Sequence, residues 1–161
     1  MLREKFNSVE VLEMAKDIEK RGQEFYEYQA DKVEDDEIRE LFLKLASDEE
    51  DHYKRFSDLE EAVKSKTREE VEYLYDEEVS AYLNALVEFS VFPAEAEVAD
   101  MDFSELSEVI ELAIGAEKDS ILFYTEMLPH NEGNTKKVLN QLIKEEKQHL
   151  LDLVKLEAQL A

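Results

Sequence analysis

The sequence has no cysteine, only three glycines and only two prolines among its 161 residues. Without cysteine there is no disulfide, no thiolate metal site and no thiol catalysis. Few glycines and prolines leave little to interrupt regular structure, and a composition that is 38% charged and rich in Glu, Lys, Leu and Ala favours long helices. We therefore predict an all-α fold.

Positive charge is also scarce. The sequence has 19 Lys and Arg against 42 Asp and Glu, and its formal net charge is −23. Because nucleic acids and anionic membrane surfaces are bound by clusters of Lys and Arg, we expect neither as a partner. No apolar run is long enough to span a membrane, and the first residues lack the apolar segment of a signal peptide. We expect a cytoplasmic protein whose acidic surface keeps it soluble, with attraction of cations as the alternative.

Apolar residues recur at helical spacing in four long segments, which predict two pairs of helices, at about residues 8–64 and about 102–160. The stretch between them, about 65–101, is too long for a turn and predicts a crossover with one shorter helix. In it, helical spacing runs from Val71 through Leu74 and Tyr75 until Phe92-Pro93 ends it. The length favours a single domain over residues 1–161.

Several helix ends have recognisable signals. Asn7 and Glu10 have the spacing of a capping box at the start of the first helix. The third helix is expected to begin near Asp102 or Ser104, and turn-forming residues at 129–134 separate it from the fourth. His130 lies in this loop with no Glu three residues before it, so we favour a solvent-exposed role over metal binding.

Two Glu-x-x-His sequences replace a turn of the apolar stripe on the second and fourth helices. Glu49 and His52 form the first, and Glu146 and His149 form the second. This spacing places a carboxylate and an imidazole one helical turn apart on one face, so that both can reach the same ion. In a sequence so rich in Glu, either copy alone could arise by chance.

The repetition of a larger pattern strengthens the interpretation. Upstream of each copy a Glu on an apolar stripe is followed seven residues later by Tyr: Glu19 with Tyr26, and Glu117 with Tyr124. Glu117 follows Glu19 by 98 residues, and the second Glu-x-x-His follows the first by 97. The halves predict two related αα-hairpins in a four-helix bundle. Neighbouring acidic residues off the stripe are expected to face solvent; these are Asp48, Glu50, Asp51 and Glu60.

Four Glu and two His at the middle of a four-helix bundle form the ligand set of di-iron and di-manganese carboxylate proteins. Four buried carboxylates repel one another, whereas two divalent ions cancel their formal charge of −4. Such ligands suit iron or manganese, although zinc or cobalt could occupy them. We expect the two Glu of the Glu-x-x-His sequences to bridge two ions and the other two to bind one ion each. The predicted metal ligands are Glu19, Glu49, His52, Glu117, Glu146 and His149.

This set of residues, with each Tyr directly after a Phe, resembles the rubrerythrin branch of the ferritin-like superfamily. The resemblance implies a ferritin-like bundle with two iron ions that reduces hydrogen peroxide, often as a homodimer. Typical rubrerythrins also carry a rubredoxin-like domain with four Cys. Since this sequence has no Cys, the resemblance implies electrons from a separate protein such as a rubredoxin. Ser120 stands where many rubrerythrins have a further Glu.

Function is less sharply defined than the ligand set. The leading hypothesis is a redox enzyme acting on peroxide or dioxygen. Tyr26 and Tyr124 could donate hydrogen bonds or protons at the edge of the site, with ordinary core packing as an equal alternative. A ferroxidase or iron-handling protein would share these ligands, and a structural helical bundle with a vestigial metal site is the third alternative.

Overall fold

The computed structural model describes residues 5–66, 74–89, 92–93 and 105–160. Within these ranges the chain forms five α-helices, and a short 3-10 helix at Leu128–His130 joins the last two. The all-α prediction is confirmed. None of the helices in these ranges has the length and apolar character needed to cross a membrane. The α-helices are α1 (Ser8–Lys32), α2 (Asp36–Lys64), α3 (Glu77–Phe89), α4 (Leu106–Met127) and α5 (Gly133–Leu160).

The first two helices begin with side-chain caps. At α1 the Asn7 side chain accepts a hydrogen bond from the Glu10 N–H at 2.8 Å, and the Glu10 carboxylate accepts one from the Asn7 N–H at 3.2 Å. This confirms the predicted capping box. At α2 the Asp35 side chain accepts from the Ile38 N–H at 3.1 Å. A connection of only three residues, 33–35, makes α1 and α2 an antiparallel hairpin.

Helix directions explain the long crossover. α1 packs mainly on α2, and α4 packs mainly on α5. Hydrogen bonds from Tyr26 to Glu117 and from Tyr124 to Glu19 show that α1 and α4 are antiparallel. α2 and α4 are thus both antiparallel to α1 and run in the same direction. The chain must return along the bundle between them, which a short turn cannot do.

The start of the crossover helix differs from the prediction. Leu74 and Tyr75 are not helical: Leu74 forms an isolated bridge with Asn7, and the Tyr75 N–H donates to the Phe6 carbonyl at 2.8 Å. Backbone pairing with the segment before α1 therefore replaces the helical hydrogen bonds. α3 begins only at Glu77, and Val71 lies outside the described residues.

Two further boundaries were predicted only approximately. α4 begins at Leu106, and Asp102 and Ser104, near which it was expected to begin, lie outside the described residues. α5 begins at Gly133, inside the predicted loop. Gly133 has a φ of 59°, a left-handed conformation that glycine adopts without steric cost. The chain can therefore turn sharply into α5 without a longer loop.

The apolar core is divided into two clusters along the bundle axis. One cluster lies towards the end that holds the start of α1 and the end of α2, and the other lies towards the opposite end. A layer of buried polar side chains from all four long helices separates them. The largest fully buried side chains are Phe56, Tyr75, Phe123 and Tyr124 in the first cluster, and Phe25, Tyr26, Phe42 and Phe92 in the second.

Glu60 departs from the expectation that it would face solvent. It is buried near the first cluster, where its Oε1 lies 3.5 Å from Lys16 Nζ and 3.1 Å from Lys64 Nζ. Lys16 belongs to α1, so this ion pair links the two helices of the first hairpin. Pairing with two cations compensates the cost of burying the carboxylate.

Candidate metal centre

All six predicted ligands meet in the polar layer between the two apolar clusters. Each of the four long helices contributes to it, because each ligand sits at a position of its helix that otherwise faces the core. Every one of the six is at most 2% exposed. The residues brought together are Glu19 from α1, Glu49 and His52 from α2, Glu117 from α4, and Glu146 and His149 from α5.

The six side chains form two overlapping groups of four. In each group, one donor atom from every residue lies within 4.8 Å of the others. Donors bound at about 2.0–2.2 Å to one first-row ion stand up to about 4.4 Å apart, so each group is close to the size of a coordination shell. Glu49 and Glu146 belong to both groups. The first group adds Glu19 and His52, and the second adds Glu117 and His149.

The hydrogen bonding of these atoms also suits a metal centre. His52 Nδ1 lies 2.6 Å from Glu146 Oε1, and His149 Nδ1 lies 3.0 Å from Glu49 Oε1. None of these four atoms has a hydrogen-bond partner of acceptable geometry, although all are buried. Buried polar atoms normally have partners, because leaving them unpaired is costly. Converging lone pairs of this kind are what a cation would satisfy.

Two tyrosines hold the carboxylates that belong to a single group. Tyr26 on α1 donates to Glu117 Oε1 at 2.6 Å, and Tyr124 on α4 donates to Glu19 Oε1 at 2.5 Å. In both Glu residues the other oxygen, Oε2, has no hydrogen-bond partner. Each Tyr therefore occupies one oxygen and leaves the other facing the centre. This arrangement goes beyond ordinary core packing.

Two further acidic residues contact the outer ring nitrogens of the histidines. His149 Nε2 and Asp48 Oδ2 are 3.0 Å apart in a hydrogen bond, and His52 Nε2 lies 3.6 Å from Glu145 Oε1. Asp48 was expected to face solvent, but His149 draws it inward. Both carboxylates directly precede the Glu of a Glu-x-x-His sequence. That repeated acidic neighbour is the signal by which the sequence could have identified them.

The contacts of Gly22 and Phe92 at the site were not predicted from the sequence. A Cβ atom at Gly22 would lie 2.9 Å from Glu49 Oε2 and 3.2 Å from Phe92 Cε2. A side chain at this position would have to displace the buried Glu49 carboxylate, which glycine leaves in place. Phe92 is fully buried and packs against the rings of Phe25 and Tyr26. The end of the crossover thus helps to close this side of the centre.

The site has unusual proton affinities because charges are buried close together. Burial, reinforced by the charge of Glu146, raises the pKa of the Glu49 and Glu117 carboxyls well above their usual range. Burial alone would lower the pKa of His52, but Glu19 and Glu146 outweigh it and raise that pKa to about 11. Burial would likewise lower the pKa of His149, but its carboxylate neighbours, Asp48 foremost, outweigh burial and raise it.

The pKa values of Glu146 and of the two phenols have the same physical causes. Burial would raise the pKa of Glu146, but its interactions with Glu117 and the two histidines outweigh burial and lower it. Burial first, and a nearby carboxylate second, raise the pKa of Tyr26 and Tyr124 well above the usual 10.0. Both tyrosines are therefore neutral phenols that can donate hydrogen bonds.

Two other residues singled out in the sequence lie outside the ligand groups. Ser120 is buried, but its Oγ donates to the Ala116 carbonyl at 3.0 Å and so bonds back to its own helix. His130 is half-buried and packs on the Tyr75 ring with the centroids 4.6 Å apart. His130 is thus only partly exposed, and it belongs to neither ligand group.

Comparison with known proteins agrees with this geometry. The family model described as Rubrerythrin matches residues 10–157. The chain belongs to the rubrerythrin family.

This rubrerythrin-family chain also resembles the crystal structure of a Thermotoga maritima protein described as a candidate ferritin-like diiron-carboxylate protein. The TM-score is 0.78 at 24% identity, over 99% of this chain and 100% of the other, which supports the ferritin-like fold. None of the curated proteins compared with the chain matches it. Family and ligand cluster together support a dinuclear metal site.

Replacing Glu49 by Gln should have opposite effects on the metal-free and metal-bound protein. Without metal, the variant removes a buried carboxyl whose charge is unfavourable, and we expect Tm to rise by roughly 2–4 °C, or about 1 kcal/mol. With cobalt(II), the wild type should gain stability and the variant should gain little, because Glu49 belongs to both ligand groups. Thermal melts with cobalt(II) or chelator measure both effects.

Glu50→Gln is the matched control for this experiment, because Glu50 is the exposed neighbour on the same helix. It should leave both melting temperatures close to those of the wild type. Equal stabilisation of Glu49→Gln and wild type by cobalt(II) would contradict the assignment of Glu49 to the site.

The metal-free protein should lose stability as the pH rises above neutrality. Because folding raises the pKa of His52 from 6.5 to about 11, its contribution to the free energy of unfolding is complete below about pH 6.5 and is lost towards pH 11. The raised pKa values of Glu49 and Glu117 act in the same direction. Metal-bound ligands are already deprotonated. The difference in Tm between cobalt-loaded and metal-free protein should therefore widen from about pH 6.5 to about pH 9.

Two histidine variants separate this effect from the general charge of the protein. In metal-free protein, His52→Gln should flatten the dependence of Tm on pH, whereas His130→Gln should preserve it. A metal-free Tm that stays constant or rises over this pH range would show that the buried groups do not hold protons as described.

Proposed function

We propose that this chain is a non-haem di-iron oxidoreductase that reduces hydrogen peroxide to water with electrons from a separate protein. The observation that carries the proposal is the pair of overlapping donor groups, each with three carboxylates and one imidazole. Such oxygen-rich donors suit iron, or manganese as the alternative metal, over zinc. Membership of the rubrerythrin family supports the same conclusion.

In this proposal Glu49 and Glu146 would serve as ligands to both ions, since they belong to both donor groups. Glu19 and His52 complete one set of ligands, and Glu117 and His149 complete the other. Hydrogen peroxide, two electrons and two protons give two water molecules, and two redox-active ions bound here would supply the two electrons. The chain must supply the ligand geometry, a route for protons and protection from bulk water.

Tyr26 and Tyr124 are proposed to orient the terminal carboxylates and to hold protons at Glu117 Oε1 and Glu19 Oε1. Their short hydrogen bonds and raised pKa values support this role, because each phenol keeps its proton at neutral pH. The ring of Phe56 packs on Tyr124, and that of Phe92 packs on Tyr26. These apolar walls exclude water and so strengthen the interactions inside the centre.

The electron donor is proposed to be a small redox protein such as a rubredoxin. It would dock where the ligand imidazoles come closest to solvent, on the α2–α5 side. There Asp48 and Glu145 contact the two histidines, and their side chains are 36% and 42% exposed. A homodimer in the cytoplasm is the proposed form of the protein, following the family resemblance.

A second candidate function is oxidation and handling of ferrous iron at the same site. The formal net charge of −23 favours it, because a strongly acidic surface raises the local concentration of cations. A purely structural bundle with a vestigial site is less well supported, because all six ligand residues are present and converge. Replacing any one of the four carboxylates would have relieved the buried charge.

Anaerobic protein loaded with two ferrous ions per chain should consume one equivalent of hydrogen peroxide rapidly and should do so again after each re-reduction. Peroxide consumption and iron absorption, followed by stopped flow, test this. Glu146→Ala should abolish the reaction, and the exposed neighbouring change Lys147→Ala should not. If ferrous iron is instead oxidised far beyond two ions per chain and a ferric mineral accumulates, the iron-handling function is correct.

Tyr26→Phe and Tyr124→Phe should retain two bound ions but slow peroxide reduction by roughly ten- to a hundredfold, because each removes a proton-holding hydroxyl. Cobalt(II) titration measures the ions, and stopped flow in H₂O and D₂O measures the rate and its isotope dependence. Tyr28→Phe, two residues further on α1 and only half-buried, is the control. Unchanged rates of peroxide reduction in both Tyr26→Phe and Tyr124→Phe would show that these tyrosines serve only in packing.

A further inference from the structure

The two histidine ligands have unequal surroundings although the sequence around them repeats. Asp48 and Glu145 occupy equivalent positions, 97 residues apart, and each reaches across to the histidine of the other helix. His149 Nε2 makes a 3.0 Å hydrogen bond with Asp48. His52 Nε2 is 3.6 Å from Glu145 and has no hydrogen-bond partner, although it is buried.

The two carboxylates also differ in their cationic partner, which for Glu145 is Arg55. Its guanidinium binds Glu145 with two hydrogen bonds, from Nη1 to Oε2 at 2.7 Å and from Nη2 to Oε1 at 2.6 Å. The same guanidinium donates to Asp51 Oδ2 from Nη2 at 2.6 Å and from Nε at 2.9 Å. A bidentate ion pair fixes a carboxylate in direction as well as in position. Arg55 thus holds the Glu145 carboxylate in place, with Oε1 3.6 Å from His52 Nε2.

No equivalent clamp acts on Asp48 within the described part of the chain. The residue that corresponds to Arg55 in the second half, 97 positions later, is Asp152, which cannot donate to a carboxylate and instead accepts from Gln148 at 3.0 Å. Asp48 is bound by the single flexible amine of Lys44 at 3.0 Å, which leaves it free to meet His149. The difference between the partners of Asp48 and Glu145 therefore originates in the sequence, where Arg55 corresponds to Asp152.

We propose that Arg55 is a positioning residue that acts through Glu145 on His52 and makes the two metal positions unequal. A histidine that binds metal through Nδ1 carries its proton on Nε2, and a carboxylate that accepts this proton orients the ring and makes it a better ligand. His149 has such an acceptor and His52 does not. The position served by Glu117 and His149 fills first, and the position served by Glu19 and His52 fills second.

This inference rests on the proposed two-ion site but not on peroxide reduction. Loss of an outer-shell partner typically weakens metal binding by ten- to a hundredfold. The metal-free wild type should therefore bind cobalt(II) in two steps whose affinities differ by at least about tenfold. Absorption titration and calorimetry measure the two steps. If no cobalt binds, the site assignment itself fails; if two ions bind with equal affinity, the role of Arg55 fails alone.

Variants of Arg55 test the cause. Arg55→Lys keeps the charge but cannot form the bidentate pair, and Arg55→Met removes both; each should strengthen the second step and narrow the gap between the steps by roughly tenfold. Lys54→Met removes an equal charge from the neighbouring position, where Lys54 is 70% exposed, and should leave the gap unchanged. A narrowing in Lys54→Met equal to that in Arg55→Met would overturn the proposal.

A double-mutant cycle and a spectroscopic signature then separate positioning from general stabilisation. If Arg55 acts through Glu145, adding Glu145→Ala to Arg55→Met should abolish the gain in the second step. In zinc-loaded protein, NMR should show a protected Nε2–H for His149 and a rapidly exchanging one for His52, and Arg55→Lys should protect the latter. Two equally protected signals in the wild type would contradict the inference.

Discussion

The structure depends on one electrostatic constraint: four carboxyl groups and two imidazoles are buried together in the middle of a helical bundle. Burying one unpaired charge already costs several kcal/mol, and charges of the same sign add repulsion to that cost. Protons on the imidazoles and on the carboxyls with raised pKa values offset part of it in metal-free protein. Two divalent ions would offset it more fully. The centre is therefore least favourable when it is both metal-free and deprotonated.

Other features of the fold follow from this constraint. The polar layer interrupts the core, so apolar packing must be supplied separately on either side, and each side has its own cluster of large aromatic residues. Gly22 lets α1 approach Glu49 closely. Tyr26 and Tyr124 satisfy one oxygen of each outer carboxylate and add apolar ring surface to the surrounding core. Stability and ligand geometry are provided by the same residues.

Sequence patterns were sufficient where one helix face decides the outcome. The Glu-x-x-His spacing and the upstream Glu identified six residues that converge, and helical periodicity identified the four long helices. Sequence patterns failed where contact with a residue distant in the sequence determines the local structure or burial. Leu74 and Tyr75 have helical spacing, but the segment before α1 pairs with them. Glu60 was expected to face solvent, but it is buried and pairs with Lys16 of the neighbouring helix.

The outer carboxylates show the same limit more clearly. Asp48 and Glu145 each directly precede the Glu of a Glu-x-x-His sequence, but helical periodicity alone does not indicate that a histidine on another helix will contact them. Their different geometry follows from Arg55, whose importance appears only when α2 and α5 lie side by side. Repeat analysis could have shown that Arg55 corresponds to Asp152. It could not have shown which carboxylate Arg55 would bind.

The contacts across the bundle make assembly of the centre inseparable from docking of the two hairpins. Each donor group takes members from both hairpins: the first needs Glu146 from α5, and the second needs Glu49 from α2. Both phenol hydrogen bonds and both outer carboxylate contacts also pass from one hairpin to the other. A single hairpin offers only one Glu-x-x-His and one lone Glu. These are three of the six ligands and include one of the two shared carboxylates. Bound ions would thus act as a noncovalent link between two halves that the chain joins through its long crossover.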